Sequence, residues 1–534
     1  MKRRDFFLSL SAGLIGAHTA LGLSRAAFAA ADGAPKTGGT LTATVWPEPT
    51  AGITTVHNFY PNAVVGSNIF DGLVTYDADF NPQPQLAESW EVSDDQLTLT
   101  FHLRDGVRWH DGTPFTSADV QYSATEAWKK LHSRGRITFA NLESVETPDP
   151  LTVVFRLSKP SPILLSALGA AESLILPRHL YEGTDIKDNP HNLAPVGTGA
   201  FKVAEWKRGE HILLIRNEDY WDKGKPYLDR LIFRIIPDEA GRAAALETGE
   251  VLYAPYDPAP FADVARLREN PELVIENNGY DWQAQLHLIE FNLRNPILAD
   301  LRVRQAIYHA IPRQELIDVA LYGLGREATS PIIHNARYFK ADLPSYPFDP
   351  VKAEALLDEA GHPRGADGIR FKLRIDRQVL PAYISSSEFL RQTLKRAGIE
   401  IEIQARDTAG ALKAVYTDYD FDLNNLIISS YKEPQMGLLR LFYSKNAKPG
   451  VPYIVASGYQ SAEADALIET ISTETDPAER ARLFGRLQEI ILTDLPVAPL
   501  YEVQHYTAHN RGVKGVEANP DSGISSLKSI WLEG

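Results

Sequence analysis

The 534-residue sequence contains no cysteine. Disulfides, thiol nucleophiles and cysteine-ligated metals are excluded by that fact alone. The same absence removes the thiol that a bacterial lipoprotein would carry, and it points to a Gram-negative periplasm. No stretch approaches the roughly 20 uninterrupted apolar residues of a membrane helix, and no low-complexity tract or short-period repeat interrupts the chain. The motifs H-E-x-x-H, G-x-S-x-G, G-x-x-x-x-G-K-[ST] and G-x-G-x-x-G are all missing, so a periplasmic hydrolase, the rival class, finds no support. Basic charge is also short: 54 Lys and Arg against 69 Asp and Glu give a net charge of −15. Nucleic acid is a poor partner for such a surface, whose charge serves solubility.

The length exceeds what one core organises, since domains run to roughly 100–200 residues. At least two lobes are expected. Lys2, Arg3 and Arg4 precede Phe6-Phe7-Leu8, a weakly apolar run and Ala27-Phe28-Ala29, the pattern of a signal peptide cleaved after Ala29. The pair Arg3-Arg4 before Asp5-Phe6-Phe7-Leu8 resembles a twin-arginine export signal; a Sec signal is the alternative.

Beyond a short polar linker, residues 38–45 alternate polar and apolar side chains as a half-buried strand does. Leu97, Leu99, Phe101 and Leu103 share one face and end at Asp105-Gly106, where Val107 and Trp109 are expected to return as a hairpin. Residues 151–157 repeat the alternation. Further on, helix punctuation dominates. Asp349-Pro350 is an N-cap followed by a first-turn proline, Ala353, Leu356, Leu357 and Ala360 form one face, and Gly361 supplies the stop. Asp476-Pro477-Ala478-Glu479 predicts a second helix with a reciprocal capping box, striped by Leu483, Leu487, Ile490 and Ile491. A third follows Asp300 and ends or kinks at Pro312. Residues 371–375 and 399–403 alternate as strands between these helices, so this half is α/β.

These segments together resemble the family 5 extracellular solute-binding proteins, the dipeptide, oligopeptide and nickel class of ABC-importer receptors. The resemblance rests on Leu86-Ala87-Glu88-Ser89-Trp90, on the run from Phe101 through Asp105-Gly106-Val107-Arg108-Trp109-His110-Asp111-Gly112 to Val120, and on Gly197-Thr198-Gly199-Ala200-Phe201. Arg216-Asn217-Glu218-Asp219-Tyr220-Trp221 and Arg302-Val303-Arg304-Gln305-Ala306 extend it. It implies an α/β bilobed periplasmic-binding-protein fold with two α/β lobes, an inserted β-rich subdomain and two interlobe crossings. Mapped onto this chain, the signal peptide is 1–29, a linker 30–37, lobe I 38–67 with 196–282 and 507–534, the inserted subdomain 68–195, and lobe II 283–506. Residues 280–285 and 504–508 are the expected hinges. The resemblance further implies a non-enzymatic monomer that takes a small-molecule ligand, closes around it and docks on the transmembrane subunits of an ABC permease. A chemosensory ligand-binding role uses the same clamp.

In peptide-binding relatives an aspartate ahead of an Asp-Pro or Glu-Pro pair grips the ligand's α-amino group. Anchored on Glu433-Pro434, that place here is held by Ser430, and a hydroxyl supplies no ion pair to an ammonium. An ordinary peptide becomes a less fitting ligand. Asn424, Asn425, Ser430 and Tyr431 offer neutral donors and acceptors beside an aromatic face, which suits a modified peptide, an opine or a saccharide. Trp46 and Trp282 are further cleft candidates, with core packing as the alternative for each. No cofactor or metal site is expected. A nickel-chelate or haem-binding receptor is the alternative in that respect, with His334 and His505 as the residues to inspect.

Overall fold

The computed structural model describes residues 34–533 apart from 57–58, 133, 281–283, 380 and 517–522. The expected signal peptide and Trp282 lie outside the described residues. Among them, no helix is long and apolar enough to cross a membrane.

Two main sheets carry the chain. In the first lobe, seven strands lie in the order Leu273–Glu276, Thr507–Asn510, Tyr253–Ala254, Thr40–Thr44, Arg230–Arg234, His211–Arg216, Phe201–Lys207. Thr40–Thr44 runs parallel to both of its neighbours. Its alternation resolves as Leu41 and Ala43 in the core with Thr40 and Thr42 half-exposed. In the second lobe, six strands follow the order Gly325–Glu327, Val497–Val503, Ala284–Phe291, Leu423–Ser430, Phe371–Gln378, Ile399–Arg406. A four-stranded antiparallel sheet, Ala87–Val92, Thr98–Leu103, Thr152–Leu157 and Leu142–Asp149, packs into one continuous apolar core with the first lobe. The chain passes between the two main sheets twice, from Leu273–Glu276 to Ala284–Phe291 and from Val497–Val503 to Thr507–Asn510.

Local signals place most helices. Asp349 caps Pro350–Glu359 by accepting from the Lys352 N–H at 2.9 Å, Gly361 follows at φ +85°, and Ala353 and Leu357 are buried. The helix after Asp300 stops at His309, and a new one begins at Arg313 beyond Pro312. Asp476 caps Pro477–Asp494, but the expected reciprocal box does not close. The Asp476 N–H donates to Glu474 at 2.8 Å, and Glu479 instead pairs with Arg482 at 2.6 Å, a closer partner one turn along. The expected hairpin return after Gly106 also fails to form a strand. Only the bridge Arg108 to Pro114 exists, because Val107 and Trp109 turn inward and are buried in the core.

The second-lobe sheet is covered on both faces. Helices Leu301–His309, Arg313–Leu321 and Pro350–Glu359 contribute to the core on one side, and helices Ala462–Ile471 and Pro477–Asp494 to the core on the other. Its polar side chains are therefore denied water and must find partners within the protein. His287 lies between Tyr501 and Asn425, and burial pushes its pKa down to about 4, so it is a neutral ring at physiological pH. Glu290 accepts from Asn424 Nδ2 at 2.9 Å and from the N–H groups of Ala456 and Ser457 at 3.1 and 2.9 Å. Burial nevertheless outweighs these donors and pushes its pKa up to about 7.

Glu290 generates a stability signature with a defined sign. Between pH 4.5 and about 7 the folded protein holds a proton that the unfolded chain has released, so stability falls as pH rises through that window, by up to about 3 kcal/mol from this group. Chemical denaturation of wild type and Glu290→Gln across pH 4.5–7.5 is expected to show the variant gaining relative to wild type as pH rises. A gap that stays constant with pH would mean that Glu290 titrates in the ordinary carboxylate range.

Candidate functional site

The strand Leu423–Ser430 ends where the lobes meet. Ser430 pairs in register with Ala284, at the start of the strand that follows the first crossing. The next residue, Tyr431, leaves the second lobe altogether and buries its ring in the core shared by the first lobe and the inserted sheet. Gly437 makes room for it: a Cβ there would stand 2.6 Å from a Tyr431 ring carbon. Above the ring, at 5.2 Å from its centroid, lies the Arg134 guanidinium. Glu172 grips that guanidinium through both carboxylate oxygens, Nε to Oε2 at 2.8 Å and Nη2 to Oε1. Burial opposes the charge on Arg134, but Glu172 and Tyr431 more than offset it and hold its pKa above the usual range. His132, two residues away and buried, is pushed down to about 4.

The first lobe meets this cluster with aromatic rings. Tyr256 stacks on Tyr60 at 4.2 Å and lies 4.8 Å from the His505 ring. Tyr256 and the next residue, Asp257, both adopt positive φ, +64° and +54°. That turn aims the Asp257 carboxylate at the second crossing, where it accepts from the Tyr506 N–H at 2.9 Å and bonds His505 Nδ1 at 2.5 Å. The Tyr256 N–H in turn donates to the Tyr280 hydroxyl at 2.9 Å. The loop that presents these rings is thus tied to both crossings.

A separate latch spans the lobes. Arg337 of the second lobe donates through Nη2 to the Phe80 carbonyl at 2.9 Å and to Asn81 Oδ1 at 3.1 Å. Phe80 adopts φ +63° in a turn organised by Asp77, which accepts from the N–H groups of Asp79 and Asn81 and from Gln83. Those bonds, the Asn81 N–H foremost, hold the Asp77 carboxyl below its ordinary range. The Arg337 N–H donates to the Lys432 carbonyl at 2.8 Å, so the latch adjoins Tyr431.

Of the side chains singled out in the sequence, the structure brings Ser430, Tyr431 and Trp46 toward the junction. Trp46 is half-buried against the first-lobe core, and its carbonyl accepts from the Tyr60 hydroxyl, the ring stacked on Tyr256. The Ser430 hydroxyl is buried with no hydrogen-bond partner among the described residues, as are those of Thr54 and Thr55 on the loop after Trp46. Asn424 and Asn425 point to opposite faces of their strand, as successive strand residues must. The Asn425 amide is used up by Ser386 at 2.9 Å, Ser387 at 2.8 Å and His287, which leaves nothing for a ligand. Asn424 is held by Glu290. His334 and His505 line one cavity of about 350 Å³ beside the crossings, each bonded to a carboxylate, Glu502 and Asp257 respectively, at 2.5 Å. Among the described residues no group of three His, Asp or Glu is disposed to hold a metal.

Sequence reading missed Arg134, Glu172, Tyr256, Arg337 and Arg440. The signal for Arg440 is visible in retrospect: a lone cation within Leu438-Leu439-Arg440-Leu441-Phe442, whose four apolar neighbours are all buried.

Comparison with known proteins agrees with this architecture. Residues 81–449 match the bacterial extracellular solute-binding proteins, family 5 Middle. A glutathione-binding protein of Salmonella paratyphi A is 30% identical over 477 residues, 86% of this chain and 88% of that one. Among solved structures, the ABC transporter-associated periplasmic binding protein DppA from Helicobacter pylori in complex with the peptide STSA is similar at a TM-score of 0.77 and 26% identity, covering 93% of this chain and 99% of that one. AgaA from A. tumefacien R10, in complex with agropinic acid, is similar at 0.75 and 29%, with the same coverage. Receptors of this kind bind solutes for ABC importers and catalyse nothing. Two lobes joined by two crossings, a polar junction between them and a match over most of the chain make this protein a member of the family 5 bacterial extracellular solute-binding proteins, the substrate-binding component of an ABC importer.

Proposed function

We propose that this chain collects, in the periplasm, a small modified peptide or opine-type conjugate between its lobes and hands it to an ABC permease. In this reading residues 1–29 direct export by the twin-arginine route. Lobe I comprises 38–67, 196–282 and 507–534, the inserted subdomain 68–195 and lobe II 283–506. Trp46, Ser430 and Tyr431 face the ligand.

The observation that carries the ligand class is the partnerless Ser430 hydroxyl at the buried end of its strand. A free α-ammonium taken from water there would need a carboxylate. The carboxylates near the junction are committed elsewhere: Glu172 to Arg134, Asp257 to His505 and the Tyr506 N–H, Glu502 to His334. An unmodified oligopeptide amine thus meets no free counter-charge, whereas a blocked or substituted amine needs only the hydroxyl. The name of the agropinic acid complex supports such a ligand by analogy.

Thermal shift tests the reading. On protein refolded to strip carried-over ligand, N-acetylated tripeptides or opines are expected to raise the melting temperature, by about 2.7 kcal/mol of stabilisation once free ligand reaches 100 times Kd. Free-amine tripeptides are expected to leave it unmoved, and Ser430→Asp to admit them. Strong stabilisation of the wild type by ordinary tripeptides would sink the ligand class. The latch gives a second prediction. Arg337→Ala removes bonds that join the lobes, so titration calorimetry should show about fivefold weaker binding of whichever solute stabilises the protein, the scale of about 1 kcal/mol for a charge-assisted bond at a partly exposed site. Equal affinity would mean that the latch contributes nothing to closure.

A further inference from the structure

Arg440 stands in the one-turn helix Leu439–Leu441, and the side chains on either side of it are sunk in the second-lobe core. Its guanidinium lies 5.8 Å from the centroid of the Tyr453 ring, which packs against that core. Three residues before it, Gly437 lies against the Tyr431 ring, which sets this turn beside the junction that Ser430 reaches. Its Nε is buried and has no hydrogen-bond partner among the described residues, while the residue as a whole is only partly buried.

The more deeply placed arginines of this chain show what a guanidinium ordinarily receives. Arg304 donates to the carbonyls of Leu298, Ala299, Asp494 and Leu495. Arg242 donates to those of Ile236, Pro237 and Pro258. Arg480 pairs with Glu433 at 2.9 Å and donates to the Ile471 carbonyl besides. Arg134 has Glu172. Arg440 has only an aromatic ring at the outer limit of a cation–π contact, which accepts no planar pair of N–H bonds. Burial holds its pKa below the ordinary range, yet arginine keeps its charge at neutral pH. Arg440 is partly exposed and only its Nε is shut off from water, so the rest of the guanidinium stays open to a solute that brings an acceptor.

We infer that Arg440 anchors a carboxylate of the captured solute, so that the cleft selects acidic molecules. The inference rests on the capture reading above and narrows it. Arg134 is already paired with Glu172 through the Nε–Nη2 edge of its guanidinium, which answers its charge. Among the described residues no carboxylate pairs with Arg440, which suits an acid with a blocked or substituted amine.

The test uses calorimetry on stripped protein with probes that differ only in the acid: N-acetyl-trialanine against its C-terminal amide, and mannopinic acid against its methyl ester. The acid of a pair is expected to bind about 100-fold tighter than its neutral partner. Arg440→Gln should bring the acid down to the level of the neutral partner, and Arg440→Lys should restore part of the difference. Without any ligand, Arg440→Gln should melt at or above the wild-type temperature, since an unpaired charge has gone. A fall of several degrees would show that the guanidinium holds the fold, and would overturn the proposal. Neutral partners that bind as tightly as the acids, or a preference that survives Arg440→Gln, would remove the anchor and leave solute capture standing. If no member of either pair binds the wild type at millimolar concentration, the opine and modified-peptide reading falls with it.

Discussion

Tyr431 begins in one lobe and ends in the other. Its backbone continues a strand of the second-lobe sheet, while its ring is part of the core beneath the inserted sheet. Everything else at the junction is arranged around that ring. Arg134 lies above it and needs Glu172 because a buried guanidinium without a counter-charge is unfavourable. Gly437 is required because any side chain would strike the ring. Ser430 is drawn out of solvent by its neighbour, and the Lys432 carbonyl is set where Arg337 can reach it. One aromatic side chain therefore fixes the spacing of the lobes and the position of the groups that meet a ligand.

Polar burial divides into two kinds in this protein. In the body of the second lobe part of it is settled internally, since His287, Asn425, Ser386 and Ser387 form a closed set and Asn424 answers Glu290, although Asp376 Oδ2, Arg377 Nε and the Tyr416 hydroxyl there have no partner among the described residues. At the junction it is left open, in Ser430, Thr54, Thr55 and Arg440. Closed sets specify a fold; open ones wait for a partner from outside. The contrast separates Asn425 from Ser430, although five positions of one strand separate them and both are polar residues in an apolar run.

How much could be read from the chain alone follows from the range of the forces involved. Asp349-Pro350 and Gly361 define a helix because a cap acts within one turn, and the alternation of residues 371–375 defines a strand because successive side chains take opposite faces. The bilobed fold was legible through the family motifs. Side-chain pairing was not. Glu479 had a rival partner in Arg482, and Asn424 and Asn425 looked alike although neither lies free at the junction. Arg134 finds Glu172 across 38 positions and Arg337 finds Phe80 across 257, distances over which no local pattern carries information. The direction of Val107 and Trp109 likewise depended on a core assembled from elsewhere.

The placement of Thr507–Asn510 bears on how the molecule is assembled. That strand lies between Tyr253–Ala254 and Leu273–Glu276, and among the described residues it is the only neighbour that Leu273–Glu276 has in the sheet. As the chain is made from its N-terminus, the six-stranded sheet, drawn wholly from residues 284–503, has all its strands before the seven-stranded one does. During that interval an unpaired strand edge waits in the first lobe, the kind of edge that recruits foreign strands. The lobe synthesised first is the lobe completed last, and early truncation at the C-terminus would spoil the beginning of the chain rather than its end.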